Sequence, residues 1–289
     1  VLLVIPIYFY LSTQPGVTQQ STLSVDDQFA IHAVANPKIS HDEKWVAYTV
    51  RTTSLELEES ETRLWMISTN GGDPIPMTSK GYSVSNIEWS PNGHHLSFTA
   101  TKNSEKSQVW TLDLRGGEAQ QITSVDQGVQ SYTWSPDGSK LLLTLQDLEE
   151  ESEEEKSTAD PWVITRLQIK RDGRGYLTSD RHSHLYVFDI ETEELVQMTS
   201  GPWDESQPSW SPDGKLVAFV SNRTEDPDTN SNSDIWIVSS DNTDEGQTLL
   251  QVTTYPGSDS SPSWSPDGEW ITYVTDDTDP QFSSLSVNQ

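Results

Sequence analysis

The sequence has no cysteine, so no disulfide can staple the chain, and neither a thiol nucleophile nor a cysteine metal site is available. That absence suits a cytosol and a bacterial periplasm equally. Basic residues are scarce: 17 Lys and Arg stand against 45 Asp and Glu, for a formal net charge of -28. Such a surface repels the phosphates of nucleic acid and the anionic face of a membrane, which excludes nucleic-acid binding and membrane-surface adsorption. Salt adaptation would also produce excess acid, but a solvated acidic surface is the simpler account. Long hydrophobic runs are missing as well. The uncharged apolar stretch Val1 to Leu11 is too short to span a bilayer. Because the chain opens on Val1 and not on methionine, residues 1–22 are expected to be a truncated signal peptide or N-terminal anchor plus linker. That predicts export, to the periplasm or to a membrane anchor, with the cytoplasm as the alternative.

What is present is a repeat. With 33% hydrophobic residues the chain can build a core, and one pattern recurs five times: Ile39-Ser-His-Asp-Glu43, Trp89-Ser-Pro-Asn-Gly93, Trp134-Ser-Pro-Asp-Gly138, Trp210-Ser-Pro-Asp-Gly214 and Trp264-Ser-Pro-Asp-Gly268. Ser-Pro-Asp-Gly is turn chemistry, with proline presetting φ and glycine free to close the turn, so each copy predicts a tight hairpin. Behind each turn come period-two pairs, Val46 and Tyr48, Leu96 and Phe98, Leu141 and Leu143, Val217 and Phe219, Ile271 and Tyr273, which are strands. The residue between each pair is mostly small, as a strand packed on both faces requires. A further strand follows in Leu64 to Ile67, Val109 to Leu112, Leu185 to Phe188 and Ile235 to Val238. A turn then follows, carried by Gly71-Gly72 and Gly116-Gly117 in the first two units, and a short strand ends at Thr78, Thr123, Thr199 or Thr253.

Four strands per unit, with unit starts 50, 45, 76 and 54 residues apart against roughly 40 to 50 for a four-stranded blade, predict an all-β fold: a β-propeller with about five four-stranded blades. The propeller domain is assigned to 37–289. The overlong third unit holds an acidic insertion at about 147–160, including Glu149 to Glu155, which is self-repelling and predicts a loop. Trp45, Trp65, Trp89, Trp110, Trp134, Trp210, Trp236, Trp264 and Trp270 sit at repeat positions and are assigned to the core in preference to a carbohydrate-binding platform. Before the first blade, residues 23–36 predict a helical segment: Ser24 to Asp27 has the form of a helix cap, and Phe29, Ile31 and Val34 supply an apolar stripe.

Candidate chemistry is thin. No Gly-x-Ser-x-Gly nucleophile elbow occurs; the nearest stretch, Gly81 to Ser85, lacks the final glycine and leads into a strand. His94 and His95 follow a blade turn. His182 and His184 share one face of a strand start, yet no third ligand lies nearby. Asp226-Pro-Asp228-Thr-Asn230-Ser-Asn232-Ser-Asp234 spaces oxygen ligands as a calcium loop does, but Ser231 replaces the turn glycine and Ile237 the closing glutamate. It is read as a polar hairpin loop. The sequence therefore names no catalytic, cofactor-binding or metal-ligating set, and implies no cofactor.

The repeats, with Leu216 to Val220 and Gln121-Ile122-Thr123, resemble the propeller repeats shared by TolB-type proteins and the prolyl oligopeptidase family. The run Val163 to Arg166, Asp172 to Leu177 and Arg181 to Val187, together with Leu23 to Asp27 and Lys44 to Tyr48, is similar to the acylaminoacyl-peptidase-like branch of that family. The resemblance implies a serine peptidase, acylaminoacyl-peptidase or dipeptidyl-aminopeptidase-like. In it an N-terminal propeller of seven or eight blades gates peptide access to a C-terminal α/β-hydrolase domain carrying Ser, Asp and His. The segment at 23–36 would then pack near that hydrolase. Five repeats without a hydrolase predict an incomplete propeller, an open arc, that is inactive alone, with the hydrolase domain and a peptide substrate as its partners. The alternative is a non-catalytic TolB-like propeller that binds a partner protein.

Overall fold

The computed structural model describes residues 31–54, 59–102, 106–148, 181–242 and 244–276, with short pieces at 27, 29, 167, 170–171, 175–176 and 286–288. Residues 1–22 and most of the acidic insertion lie outside the described residues. Blade 1 is β1 (Ala33–Ile39), β2 (Trp45–Ser54), β3 (Glu59–Ser68) and β4 (Ile75–Pro76), and blade 2 is β5 (Tyr82–Trp89), β6 (His95–Lys102), β7 (Gln108–Asp113) and β8 (Gln120–Gln121). Blade 3 starts with β9 (Val129–Trp134) and β10 (Lys140–Gln146). A separate two-stranded ladder follows, β11 (Lys170–Arg171) with β12 (Gly175–Tyr176), and then β13 (Ser183–Asp189) and β14 (Leu195–Gln197) complete the blade. Blade 4 is β15 (Glu205–Trp210), β16 (Leu216–Ser221), β17 (Asp234–Ser239) and β18 (Leu250–Gln251); blade 5 is β19 (Asp259–Trp264), β20 (Ile271–Thr275) and β21 (Ser286–Asn288). Every pairing is antiparallel between neighbours.

The repeated pentapeptide closes the first hairpin of each blade by one device. The serine hydroxyl donates to the acid or amide two residues on and accepts the backbone N–H five residues on, as in Ser135 Oγ to Asp137 Oδ1 at 2.7 Å and Lys140 N to Ser135 Oγ at 2.9 Å. Glycine takes the left-handed position, φ 74° at Gly138. In the degenerate first copy Glu43 occupies that conformation at φ 59°, which a side chain adopts only at a cost. The terminal threonines close the third strands: Leu64, Val109, Leu185 and Ile235 each donate their N–H to the hydroxyl of Thr78, Thr123, Thr199 and Thr253.

The blades stack in chain order, β5 on β1 to β3, β9 on β5 and β7, β15 on β10 and β13, and β19 on β15 to β17. First strands meet first strands at three junctions, β1 with β5, β5 with β9 and β15 with β19, whereas the fourth strands pack within their own blade, so the first strands lie nearest the axis. Leu96 to Ala100, Leu141 to Leu145 and Val217 to Ser221 are buried on both faces. At the two ends only one face is covered. In β2, Ala47 and Thr49 are buried while Val46 and Tyr48 are half-buried; in β20, Thr272 and Val274 are exposed. The open faces are opposite ones, because side chains alternate along a strand. The five blades are thus an open arc whose interior junctions are filled and whose end faces are not.

Two expectations need correction. Trp270 is 60% exposed, because it opens β20 beside the turn, a rim position that His95 and Lys140 hold in other blades. Val34 lies in strand β1 from Ala33, not in a helix, because edge pairing of Val34 with Val50 satisfies its backbone; Asp27 and Phe29 are in 3-10 conformation, Ile31 and His32 in neither helix nor strand, and residues 23–26, 28 and 30 lie outside the described residues.

Candidate functional site

Two regions concentrate polar groups that the bare fold does not require. The first is the axis-side edge. Each first strand is a sheet edge, and four of them carry a bulge just before the turn: between Ala35 and Lys38, Ser85 and Glu88, Ser206 and Ser209, Ser260 and Ser263. At each of these bulges a residue other than glycine takes positive φ: Asn36 at 53°, Asn86 at 45°, Gln207 at 50° and Ser261 at 56°. Bulges blunt an open edge by twisting it away from further pairing. Side chains of the neighbouring blade occupy some of the freed groups, with Asn86 Nδ2 donating to Gln130 O at 3.0 Å and Ser261 N to Gln207 Oε1 at 2.6 Å. Apart from Lys38 on β1, the exposed residues here, among them Ser83, Ser85, Asn86, Gln130, Ser206 and Gln207, are uncharged, in a chain of net charge -28. The edge offers hydroxyls and amides, which hydrogen-bond a peptide backbone without preference for charge.

The second region is the junction of blades 3 and 4. His184, at the head of the third strand of blade 3, is 2% exposed, and Glu205, at the head of the first strand of blade 4, is 1% exposed. His184 Nδ1 stands 2.7 Å from Glu205 Oε2, and its Nε2 is 3.4 Å from Asp147 Oδ1. The Thr199 hydroxyl donates to Glu205 Oε2 at 2.9 Å and Arg223 Nη2 to Glu205 Oε1 at 2.5 Å. Arg223 lies over the rings of Trp203 and Trp236, at 4.7 and 5.5 Å from their centroids. Burial alone would lower the His184 pKa, but the hydrogen bond and charge of Glu205, with Asp147 and Asp204, outweigh it and raise it. Both ring nitrogens face carboxylates, which favours the protonated ring and clamps His184 between the blades.

That geometry settles the sequence candidates. The rings of His182 and His184 are 6.5 Å apart, and His184 is committed to Glu205, so they do not form a metal pair. Among the described residues no three His, Asp or Glu side chains are placed to hold a metal ion. In the stretch from Asp226 to Asp234, the Asn230 amide bonds to Thr224 and to the Asp226 carbonyl, and Asn232 Oδ1 accepts from Gly257 N; it is a hairpin loop, and only Asp234 turns into the interior. Gly81 to Ser85 runs into strand β5, and Ser85 Oγ pairs with Thr99 Oγ1 at 2.8 Å, not with a base. A groove of about 420 Å³ at the rim between blades 2 and 3, lined by Ile122, Val125, Phe188 and Leu195 among others, holds no nucleophile beside a base. The sequence did not flag Glu205 or the bulges. Their signals were an acid five residues before the turn tryptophan in units 4 and 5, where Val84 and Val129 stand in units 2 and 3, and a polar residue three before it in every unit.

Comparison with known proteins agrees with the fold. Residues 53–152 match the model of the dipeptidyl peptidase IV N-terminal region. An uncharacterized peptidase of Bacillus subtilis, YuxL, is 30% identical over 221 residues, covering 75% of this chain and 34% of that protein. The acylaminoacyl peptidase of Pyrococcus horikoshii superposes with a TM-score of 0.62 at 18% identity, over 85% of this chain and 36% of that one. A putative TolB from Agrobacterium tumefaciens gives 0.56 at 21% identity, over 86% and 72%. The chain therefore spans about a third of the peptidases it resembles. Its fold is a β-propeller, similar to those solved structures, and its sequence is similar to the dipeptidyl peptidase IV N-terminal region over residues 53–152.

Proposed function

We propose that this propeller serves a serine peptidase as the element through which peptides gain access to a hydrolase domain, and that no bond is cleaved within the blades themselves. The observation that carries the reading is the axis-side edge, polar and neutral but for Lys38, of a propeller whose sequence relative is a peptidase. An extended peptide passing that edge would find backbone-matching donors and acceptors and one exposed charge, Lys38, whereas the acidic outer surface would repel acidic polymers. Export of the protein is part of the same proposal and rests on Val1 to Leu11.

The gene beyond Gln289 provides the test. Further blades followed by Gly-x-Ser-x-Gly in an α/β-hydrolase support the peptidase, and a stop codon directly after ring closure sinks it in favour of a TolB-like propeller that binds a protein partner. The chain as given, assayed on chromogenic acyl-peptides, is expected to show no turnover. Serine-dependent hydrolysis would refute the assignment of chemistry to another domain.

A further inference from the structure

The junction of blades 4 and 5 repeats the place of the His184 and Glu205 pair with different residues. Asp234 opens the third strand of blade 4 as His184 does in blade 3, and Asp259 opens the first strand of blade 5 as Glu205 does in blade 4. Both are buried, Asp234 at 4% and Asp259 at 0% exposure. Backbone bonds fix the two strand heads together: Asp259 N donates to Ser233 O at 2.8 Å, and Ser233 Oγ donates to Asp259 O at 3.1 Å. Asp234 is partly satisfied, by Gln251 Nε2 at 3.0 Å and Thr253 Oγ1 at 3.3 Å. Asp259 is not: both carboxylate oxygens are buried without a hydrogen-bond partner.

One blade earlier, the same carboxylate is neutralised by Arg223 and His184. Here no basic side chain among the described residues does so. Arg223 is the last basic residue of the sequence, with no Lys, Arg or His from Thr224 to Gln289, and its Nη2 is already given to Glu205. Two carboxylates taken out of water without a cation cost several kcal/mol each, and burial, followed by the charge of Asp259, already pushes Asp234 up. Apart from the Gln251 amide, the groups at the spot are hard oxygens: the carboxylates of Asp234 and Asp259, the Thr253 hydroxyl, and Thr275, which is 4% exposed and directly opposite Asp259 in the ladder. Such a set suits calcium, which takes six to eight oxygen ligands in flexible geometry.

We propose that Asp234 and Asp259, with the hydroxyls of Thr253 and Thr275, bind a calcium ion that locks blade 5 onto blade 4, in the place where Arg223 and His184 lock blade 4 onto blade 3. Asp226, Asp228 and Asn230 of the neighbouring hairpin take no part. The test is thermal melting and isothermal titration calorimetry of the chelated protein with added calcium. One ion is expected to bind, and calcium at about 100 times its dissociation constant is expected to raise the melting temperature by about 5–10 °C. Asp259→Asn is expected to abolish both effects, and Asp226→Asn to leave both unchanged. Should Asp259→Asn fail to fold, Thr275→Val, which keeps both carboxylates, is expected to weaken calcium binding about tenfold. Melting unmoved by calcium, or an equal calcium response in Asp259→Asn, overturns the proposal.

Discussion

Replacing Glu205 by glutamine removes the charge of the blade 3 to blade 4 clamp while keeping its shape. In the native junction the carboxylate receives His184 at 2.7 Å, Thr199 at 2.9 Å and Arg223 at 2.5 Å. Its own side chain is fully buried, and the Arg223 side chain is 9% exposed. With the charge gone, Arg223 loses its buried counter-charge, His184 keeps only Asp147 at 3.4 Å, and one carboxylate oxygen becomes an NH2 donor that faces other donors. Breaking a buried pair on one side costs about 3–5 kcal/mol, or a fall of about 6–15 °C in melting temperature for a chain of this size.

The same cluster fixes a pH dependence. The pKa of His184 is raised in the folded state, so its stabilising contribution is complete below the unfolded value of about 6.5 and is lost as pH rises through the higher folded value. Urea titrations followed by tryptophan fluorescence, with Trp203, Trp210 and Trp236 at this junction, measure both effects. The native protein is expected to lose stability on the alkaline side of pH 6.5 by about 1.4 kcal/mol per unit of pKa elevation, and His184→Gln is expected to flatten that slope. A Glu205→Gln protein within 1 kcal/mol of the native one, or an unchanged slope in His184→Gln, would refute the clamp.

Glu43→Gly is expected to stabilise the protein by up to about 1 kcal/mol. The left-handed cost of about 1–2 kcal/mol at φ 59° exceeds the extra unfolded-state entropy of about 0.4–1 kcal/mol that glycine brings; a loss of stability in urea would contradict it. Trp134→Phe should cost about 1 kcal/mol more than Trp210→Phe. Trp134 Nε1 donates to Ser97 Oγ at 2.8 Å, whereas the buried Trp210 Nε1 has no partner and Leu142 stands in blade 3 where Ser97 stands in blade 2; equal costs in paired melts would argue against an inter-blade role for that hydrogen bond. Gly138→Ala is expected to lose about 1–2 kcal/mol through its φ of 74° and not through crowding, since the added methyl would meet Pro91 at an ordinary 3.6 Å; Asn at the same position, which tolerates this conformation, should recover much of the loss.

The blades were legible in the sequence because a four-stranded blade is assembled from local rules. Turn chemistry in Trp-Ser-Pro-Asp-Gly, period-two strands such as Val217 to Phe219 and the threonine at each unit's end act within about 50 residues, so the repeat count and the all-β class follow from residues near one another. Trp270 shows the limit of that logic: it sits in register with the repeat, yet the same register position is a rim position, and register does not report which face a neighbour covers. Val34 shows it again, since an apolar stripe of uneven spacing is as compatible with an edge strand as with a helix, and pairing with Val50 decided between them.

The polar junctions needed the fold itself. His184 and Glu205 are separated by a strand and two turns, and Asp234 and Asp259 by another such stretch, so nothing in their local spacing marks them as partners; only the stacking of one blade on the next removes them from water together. The sequence by itself determined the repeating unit, the acidic surface and the shortage of basic residues after Arg223, because these are counts and local preferences. The tertiary structure alone decided that one buried carboxylate would meet an arginine and a histidine and its counterpart a second carboxylate, because desolvation and charge pairing arise only between groups that packing brings into the same dry space.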